Sequence, residues 1–398
     1  MRVERRLRGF ICTTAHPVGC ARNVEAQIGR ARASKFSGPR NALIIGASTG
    51  YGLASRIGVA YGAGAGTLGV FYERPADGER TASAGWYNSA AFDLCARRDG
   101  LLAENINGDA FSDGTKGKAI ALIAEKFKKI DLIIYSLASP RRTDRFGVTH
   151  KSALKPIGKP FTGKTISVDR GEVGSVSLEP ATEEEIDGTV AVMGGEDWLL
   201  WMEALLSAGV LANGARTIAY GYLGPKLTWP IYRDGTIGRA KAHLEETAKK
   251  IDGLLKPLDG SARISINKAV VTQASAAIPV VPLYISILFK LMKARGTHED
   301  CLDQMLRLFA GRVYGSNLPV GAVDVEGRLR IDELEMDGDL QNEIERIWPI
   351  VTSENLHRLA DFDGYRLDFL NLFGFDVGAV DYGEAVEVAV PLKLDGLP

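Results

Sequence analysis

The chain has 398 residues, of which 45% are hydrophobic and 24% are charged, enough apolar residues for a large buried core. Its 48 basic and 49 acidic residues leave a formal net charge of −1, so the sequence gives no basic footprint for nucleic acid or an anionic membrane. The four cysteines are too few for a disulfide framework in a chain of this length and fit a reducing cytoplasm. We therefore predict a cytoplasmic globular protein with no nucleic-acid partner.

The first cluster of interest along the chain consists of cysteine and histidine residues, which are types that can bind metals. Cys12, His16 and Cys20 lie four residues apart. This spacing matches no usual zinc motif, and a fourth ligand is missing nearby. We predict no metal site.

Six short apolar runs alternate with helical patterns along the next part of the chain. Such alternation is typical of a parallel sheet with helices on both faces, and we expect one continuous domain over residues 1–398 because no repeat or linker interrupts it. The runs are residues 42–45, 67–72, 101–106, 131–137, 216–222 and 263–273.

Four segments outside these runs have predictions of their own. Residues 160–180 read as a β-hairpin that could cap a site, and residues 196–210 read as a helix packed in the core. The apolar stretch 274–292 is interrupted by prolines and a lysine, so it predicts a buried loop and helix lining an apolar cavity instead of an integral membrane span. The acidic stretch 332–346 predicts a solvated helical face.

A glycine-rich turn follows the first apolar run. Gly46, Gly50 and Gly52 stand in GASTGYG, between a predicted strand and a predicted helix. A dinucleotide pyrophosphate needs this arrangement, because the backbone must approach closely and the helix N-terminus favours anions. The turn predicts a Rossmann-like fold, with the G-x-x-x-G-x-G spacing associated with short-chain dehydrogenases.

The same turn also spells G-x-S-x-G around Ser48, the nucleophile elbow of an α/β-hydrolase. That elbow should follow several earlier strands, yet only about forty residues precede Ser48. Of the five histidines, only His298 and His357 lie late enough to complete a triad. The hydrolase remains the rival interpretation.

Residues at the ends of later runs predict the rest of a dinucleotide site. Glu73 can accept from the adenosine ribose hydroxyls and repel a 2′-phosphate, which favours NADH over NADPH. Asp109 can meet the adenine amino group, although a turn aspartate is nearly as good an explanation. Leu137 and Ala138 can let the backbone pass close to the nicotinamide ribose. Val271 and Thr272 can offer main-chain groups to the carboxamide.

Tyr232 and Lys241 enclose eight residues and predict the reacting end of the site. Lys241 falls in the apolar stripe of a predicted helix, whereas Asp234 and Gly235 break the chain before it, with Thr236 as the expected N-cap. Tyr232 can then fold back toward Lys241, whose charge should favour the phenolate. This pair suits hydride transfer to a carbon conjugated with a carbonyl.

Motifs over nearly the whole chain resemble those of NADH-dependent trans-2-enoyl-CoA reductases, also called V-type enoyl-ACP reductases. The motifs are GASTGYG, FYERP, WYNSAAF, INGDAFSD, YSLASPRRT, VMGGEDW, the Tyr-x8-Lys spacing, VVTQASAAIP and DGYRLDFL. The resemblance implies a monomeric enzyme of fatty acid synthesis that uses NADH to reduce the trans-2 double bond of an acyl thioester carried on ACP or CoA. It implies hydride transfer to C3 and proton transfer to C2.

The resemblance also implies roles for residues at matching positions. Tyr232 would be the proton donor, Tyr222 the substrate contact and Lys241 a catalytic and cofactor-binding lysine. We recognise no separate flavin site. A non-catalytic NADH-binding protein remains a further alternative. The other cofactor-binding residues implied are Gly46, Ala47, Ser48, Thr49, Gly50, Tyr51, Tyr72, Glu73, Asp109, Ala110, Leu137, Ala138, Val270, Val271 and Thr272.

Overall fold

A computed structural model describes residues 1–137, 139–315 and 323–394 of the chain. Within these described ranges, seven strands form one parallel sheet, and three pairs of short strands form antiparallel hairpins. In chain order the strands are β1 (Leu7–Arg8), β2 (Ile11–Cys12), β3 (Asn41–Ile45), β4 (Gly66–Phe71), β5 (Ala103–Asn107), β6 (Ile130–Tyr135), β7 (Arg141–Thr143), β8 (Thr149–Lys151), β9 (Phe161–Ile166), β10 (Val173–Leu178), β11 (Leu211–Gly221), β12 (Ser261–Ile266) and β13 (Leu329–Arg330).

Helices connect these strands, and several end in a π-helical turn. The α-helices are α1 (Pro17–Ala33), α2 (Gly50–Ile57), α3 (Ala84–Arg98), α4 (Asp113–Leu122), α5 (Glu183–Met193), α6 (Glu196–Ser207), α7 (Thr236–Leu255), α8 (Gln273–Ala276), α9 (Val281–Ala294), α10 (Cys301–Arg307), α11 (Gly338–Ile347), α12 (Leu356–Leu359) and α13 (Phe362–Asn371). The π-helical turns are Gly58–Gly62, Ile123–Phe127 and Leu308–Val313, and 3-10 turns are Lys226–Thr228 and Lys256–Leu258.

The large sheet has the strand order β13-β12-β11-β6-β3-β4-β5, with every neighbouring pair parallel. The chain starts in the centre at β3, moves outward through β4 and β5, and returns to the other side of β3 at β6. The order therefore reverses between β3 and β6, where open α/β sheets form a ligand crevice at the carboxyl ends of the strands. The predicted Rossmann-like α/β fold is confirmed.

The sheet strands are buried on both faces, which explains their continuous apolar runs. Four of the five residues of β3 and all six of β4 are buried. Each of the six predicted runs overlaps a strand of this sheet. The sequence missed β13, because a strand of two residues leaves no readable period.

The predictions for the four outer segments have different outcomes. Strands β9 and β10 form a hairpin in which Phe161 pairs with Leu178 and Ile166 with Val173, and α6 buries Trp198 and Trp201 completely. The apolar stretch forms α8 and α9, and α9 is buried along most of its length. No helix in the described parts of the chain is both long and apolar enough to cross a membrane.

The prediction of a solvated face over residues 332–346 was wrong for its first part. Helix α11 begins only at Gly338, and the preceding turn places Asp332 and Glu335 in the interior, 1% and 0% exposed. Their carboxylates are hydrogen-bonded there, so a local charge pattern did not report their burial.

Candidate active site

The glycine turn joins β3 to α2 at the point where the strand order reverses. Gly46 has φ +90°, and a Cβ added to it would lie 2.0 Å from the carbonyl oxygen of Ser136, at the end of neighbouring β6. A Cβ on Gly52 would lie 1.9 Å from the carbonyl oxygen of Gly46. Only glycine fits at these two positions, because a side chain would collide with the neighbouring backbone, so they keep the turn tight and close to β6.

The other residues of the turn fix its position on the fold. Ala47 is buried, Thr49 is the N-cap of α2, and Gly50 is its first helical residue. The Tyr51 hydroxyl donates to the carbonyl oxygen of Lys268, 2.6 Å away. The turn is therefore tied directly to the segment after β12, which carries other predicted cofactor residues.

Glu73, at the end of β4, lies against the glycine turn. The Ser48 hydroxyl donates to Glu73 Oε1 at 2.6 Å, and a Cβ on Gly85 would lie 2.0 Å from the same oxygen. Asn107 brackets the Glu73 backbone, accepting from its N–H at 2.7 Å and donating to its carbonyl oxygen at 2.9 Å. The carboxylate is thus held beside the turn, whereas the preceding Tyr72 is 78% exposed.

Asp109 and Ala110 lie in the loop that follows β5. Asp109 Oδ1 accepts from the Phe111 N–H at 3.0 Å, which is the turn role considered from the sequence. The Ala110 carbonyl oxygen accepts from Lys116 Nζ at 3.1 Å, and Lys116 forms a buried ion pair with Asp197 at 2.7 Å. A buried charge pair therefore holds this loop in place.

A cavity of about 200 Å³ opens at the carboxyl ends of β6, β11 and β12. Its walls come from residues that are far apart in the sequence. Val271 is buried beside it without lining it, and Ala138 lies outside the described residues. The predicted site residues that line the cavity are Tyr51, Leu137, Tyr222, Tyr232, Lys241, Val270 and Thr272.

The two predicted tyrosines meet in this cavity. Tyr222 directly follows β11, and Tyr232 lies in the loop before α7, as the chain break at Asp234 and Gly235 predicted. Their rings are perpendicular, with centroids 4.9 Å apart. The Tyr222 hydroxyl donates to Glu335 Oε1 at 2.8 Å, whereas the Tyr232 hydroxyl has no hydrogen bond among the described residues.

Lys241 reaches the cavity from the buried face of α7. Its Nζ donates to the carbonyl oxygen of Tyr220 at 3.0 Å, which anchors the ammonium at the end of β11. The N-cap of α7 is Gly235, not Thr236 as expected. Thr236 is instead the first helical residue, and its hydroxyl donates to the Ala153 carbonyl oxygen.

Burial dominates the electrostatics of the pair. Desolvation raises the pKa of Tyr232, and the nearby Glu335 carboxylate raises it further. The expected lowering of this phenol pKa by Lys241 was therefore wrong. Desolvation lowers the pKa of Lys241 to about 8, against the smaller effect of Glu245. The phenol of Tyr232 therefore stays protonated at neutral pH, whereas Lys241 loses its proton at a pH just above neutral.

The polar residues around this cavity that sequence reasoning missed include one amide, one lysine and one carboxylate. Asn267 and Lys268 line it directly after β12, and Glu335 lies behind Tyr222. The position of Asn267 directly after a strand could have predicted its place in the site, because the carboxyl ends of the strands form the crevice. Glu335 gave no such signal, because an acidic run is usually solvated.

The geometry around Ser48 does not favour the hydrolase. Its hydroxyl donates to Glu73, and no hydrogen bond among the described residues joins it to a histidine. His298 packs against Phe289 with ring centroids 4.4 Å apart, and His357 pairs with Asp363 at 2.9 Å. Neither histidine is placed to act as a base for Ser48.

Known families match successive parts of the chain. Residues 2–78 match the NAD(P)H binding domain of trans-2-enoyl-CoA reductase, and residues 80–314, more than half of the chain, match the trans-2-enoyl-CoA reductase catalytic region. The chain belongs to the trans-2-enoyl-CoA reductase family. The family resemblance and the expectation of an NADH-dependent enoyl reductase are confirmed.

Individual relatives of the reductase match over nearly its full length. A protein of Opitutus terrae named enoyl-[acyl-carrier-protein] reductase [NADH] is 54% identical, covering 98% of this chain and 100% of its own. The crystal structure of Clostridium acetobutulicum trans-2-enoyl-CoA reductase in complex with NADH has a TM-score of 0.96 and 44% identity, covering 99% of this chain and 100% of its own. The Treponema denticola trans-2-enoyl-CoA reductase in complex with NAD has a TM-score of 0.93 and 46% identity, with 97% and 98% covered.

A further match, to an enoyl reductase FAD binding domain, covers residues 323–386 of the reductase. In this segment α11 and α13 pack against α9 and bury Leu340, Ile344 and Phe369. The Gln341 side chain is also engaged, donating to Tyr284 Oη at 3.0 Å. None of the described residues in this segment lines the cavity. The segment does not fit a flavin, because its inward surface is already occupied by packing.

Proposed function

We propose that this chain reduces the trans-2 double bond of acyl thioesters carried on ACP or CoA in fatty acid synthesis, with NADH as the reductant. The observation that carries the proposal is the meeting of Tyr222, Tyr232 and Lys241 in a cavity that opens beside the glycine turn. The full-length relatives named as enoyl reductases support the same reaction.

The residues around the turn fit a nicotinamide dinucleotide. Gly46 and Gly52 keep the turn tight, because a Cβ at either position would collide with a backbone carbonyl oxygen, and the tight turn leads directly into the N-terminus of α2, which favours a pyrophosphate. At the cavity, Asn267 Nδ2 is a buried donor without a partner among the described residues, as expected for a site that takes a polar ligand. We assign Glu73 to the adenosine ribose and Lys241 to the nicotinamide ribose. When bound, NADH supplies the hydride, which we assign to C3 of the thioester.

Tyr232 is the proton donor to C2 in this proposal. Its hydroxyl faces the cavity without a hydrogen bond among the described residues, and its raised pKa keeps the proton on the oxygen at neutral pH. As negative charge builds on the thioester oxygen, a phenol donor can stabilise the enolate-like transition state and then protonate carbon. Lys241 holds a positive charge nearby while it is protonated.

The test follows separately the hydride added at C3 and the proton added at C2. Purified protein is supplied with crotonyl-CoA or a matched crotonyl-ACP and with NADH deuterated at C4, and the product is analysed by NMR. We expect oxidation of NADH only when the enoyl thioester is present, deuterium at C3 from the labelled cofactor, and deuterium at C2 only when the solvent is D₂O. Label from NADH at C2, or NADH binding without turnover, would overturn the proposal, and the second result would favour a non-catalytic NADH-binding protein.

A further inference from the structure

A fully buried carboxylate lies directly behind the reacting end of the cavity. Glu335 is 0% exposed and sits in the turn between β13 and α11. Its Oε1 accepts from two phenols, Tyr222 at 2.8 Å and Tyr284 at 2.7 Å. Its Oε2 accepts from the N–H of Ala269 at 2.8 Å. One side chain therefore joins a predicted substrate contact, the apolar helix α9 and the loop that follows β12.

These bonds determine where the hydrogen of Tyr222 points. A phenol has one hydrogen to donate, and Tyr222 directs it to Glu335, away from the cavity. The Tyr222 ring, held at that end, stands perpendicular to the ring of Tyr232. Among the described residues, the Tyr232 hydroxyl has no competing partner. Of these two tyrosines, therefore, Tyr232 has a hydrogen free for a substrate and Tyr222 does not.

From this arrangement we propose that Glu335 is a positioning residue for the proton transfer, acting through Tyr222. It keeps the Tyr222 hydrogen out of the cavity and fixes the Tyr222 ring against Tyr232, so that Tyr232 alone donates. This inference rests on the proposed function. It assigns a catalytic purpose to a carboxylate in the segment that matches a flavin-binding family description.

Glutamine at position 335 is the sharpest probe, because it has nearly the same shape and different hydrogen bonding. The Ala269 N–H requires an acceptor, so the amide oxygen takes that side and the amide NH₂ faces the phenols. The Tyr222 hydroxyl must then accept instead of donate, which turns its hydrogen toward the cavity. Glu335→Gln should lower kcat/KM for crotonyl-CoA about tenfold, the scale of one hydrogen bond to a charged group.

The decisive measurement is a double-mutant cycle. Glu335→Gln is made in the natural chain and in a Tyr222→Phe chain, and kcat and KM are measured separately for crotonyl-CoA and NADH. If Glu335 acts through Tyr222, its substitution lowers kcat in the natural background and changes kcat less than twofold in the Tyr222→Phe background. A merely structural carboxylate would give the same loss in both backgrounds, which would overturn the inference. Natural kcat in Glu335→Gln would overturn it as well.

Tyr284→Phe is the matched control, since Tyr284 gives the other phenol bond to the same oxygen and lies in α9 outside the cavity lining. Its substitution should lower Tm as Glu335→Gln does, with a much smaller loss of kcat. If Glu335→Gln does not fold, Glu335→Asp replaces it in the same cycle with the same criteria. An inactive natural protein would defeat the proposed function and this inference together, whereas an active one with an additive cycle defeats the inference alone.

Discussion

The two ends of the crevice are built in different ways. At the dinucleotide end, the glycine turn, Glu73 and Asp109 each follow directly on a strand of the sheet, and their positions come from local chain geometry. At the reacting end, Tyr222, Tyr232, Lys241 and Glu335 come from separate segments and meet only through packing. The first end depends on backbone shape, and the second on buried side-chain polarity. Substitutions should therefore affect binding at one end and turnover at the other.

The largest effect is expected at the reacting end. Tyr232→Phe removes a phenol hydrogen that has no hydrogen-bond partner among the described residues, so kcat should fall by about 10²–10⁴-fold, the range for loss of a general acid. NADH affinity, measured by quenching of its fluorescence, should change little. Tyr61→Phe removes a phenol that bonds Asp99 away from the cavity and provides the control. A fully active Tyr232→Phe protein would remove the distinction between the two ends.

A backbone change should have its effect at the dinucleotide end. A Cβ at position 52 would overlap the Gly46 carbonyl oxygen, so Gly52→Ala should distort the turn. Overpacking of this kind costs roughly 1–3 kcal/mol, which corresponds to NADH binding about tenfold to a hundredfold weaker by calorimetry. Gly29→Ala is the control, because nothing lies within 4 Å of a Cβ at that helical position. Unchanged NADH affinity in Gly52→Ala would contradict the assigned cradle.

Cofactor choice should respond to the carboxylate beside the turn. Glu73→Ala removes the charge that Ser48 holds in place, so NADPH should gain relative to NADH by about tenfold in kcat/KM, a change of about 1.4 kcal/mol. Glu79→Ala makes the same charge change at an exposed position nearby and should leave the preference as it is. Equal use of both cofactors by the natural protein would end this role for Glu73.

The smallest expected effect is a pH dependence that differs between NADH binding and turnover. Lys241 has a lowered pKa of about 8, so its ammonium is present below that pH and is lost as the pH rises through it. The KM for NADH should therefore rise several-fold above about pH 8. Over the same range Tyr232 stays protonated because burial raises its pKa, so kcat should fall less. Lys241→Arg should flatten the rise in KM, and a rise that persists in this variant would assign it to another group.

Much of the fold and of the dinucleotide end was predictable from the sequence. Strand periodicity, the glycine spacing and the position of Glu73 after β4 are local properties, because neighbouring residues alone determine backbone turns and strand ends. The break before α7 also predicted correctly that Tyr232 leaves the helix of Lys241. The family motifs added the roles that the resemblance implies for these positions.

Tertiary structure alone decided the electrostatics of the reacting end. The sequence could not show that Glu335 is buried, that it takes the hydrogen of Tyr222, or that the pKa of Tyr232 is raised instead of lowered. Desolvation and hydrogen bonding depend on what surrounds a group in space, and here the surrounding groups come from segments more than a hundred residues apart. The sequence pattern therefore determined the course of the backbone, whereas the packing of distant side chains determined which groups hold the protons of Tyr222 and Tyr232.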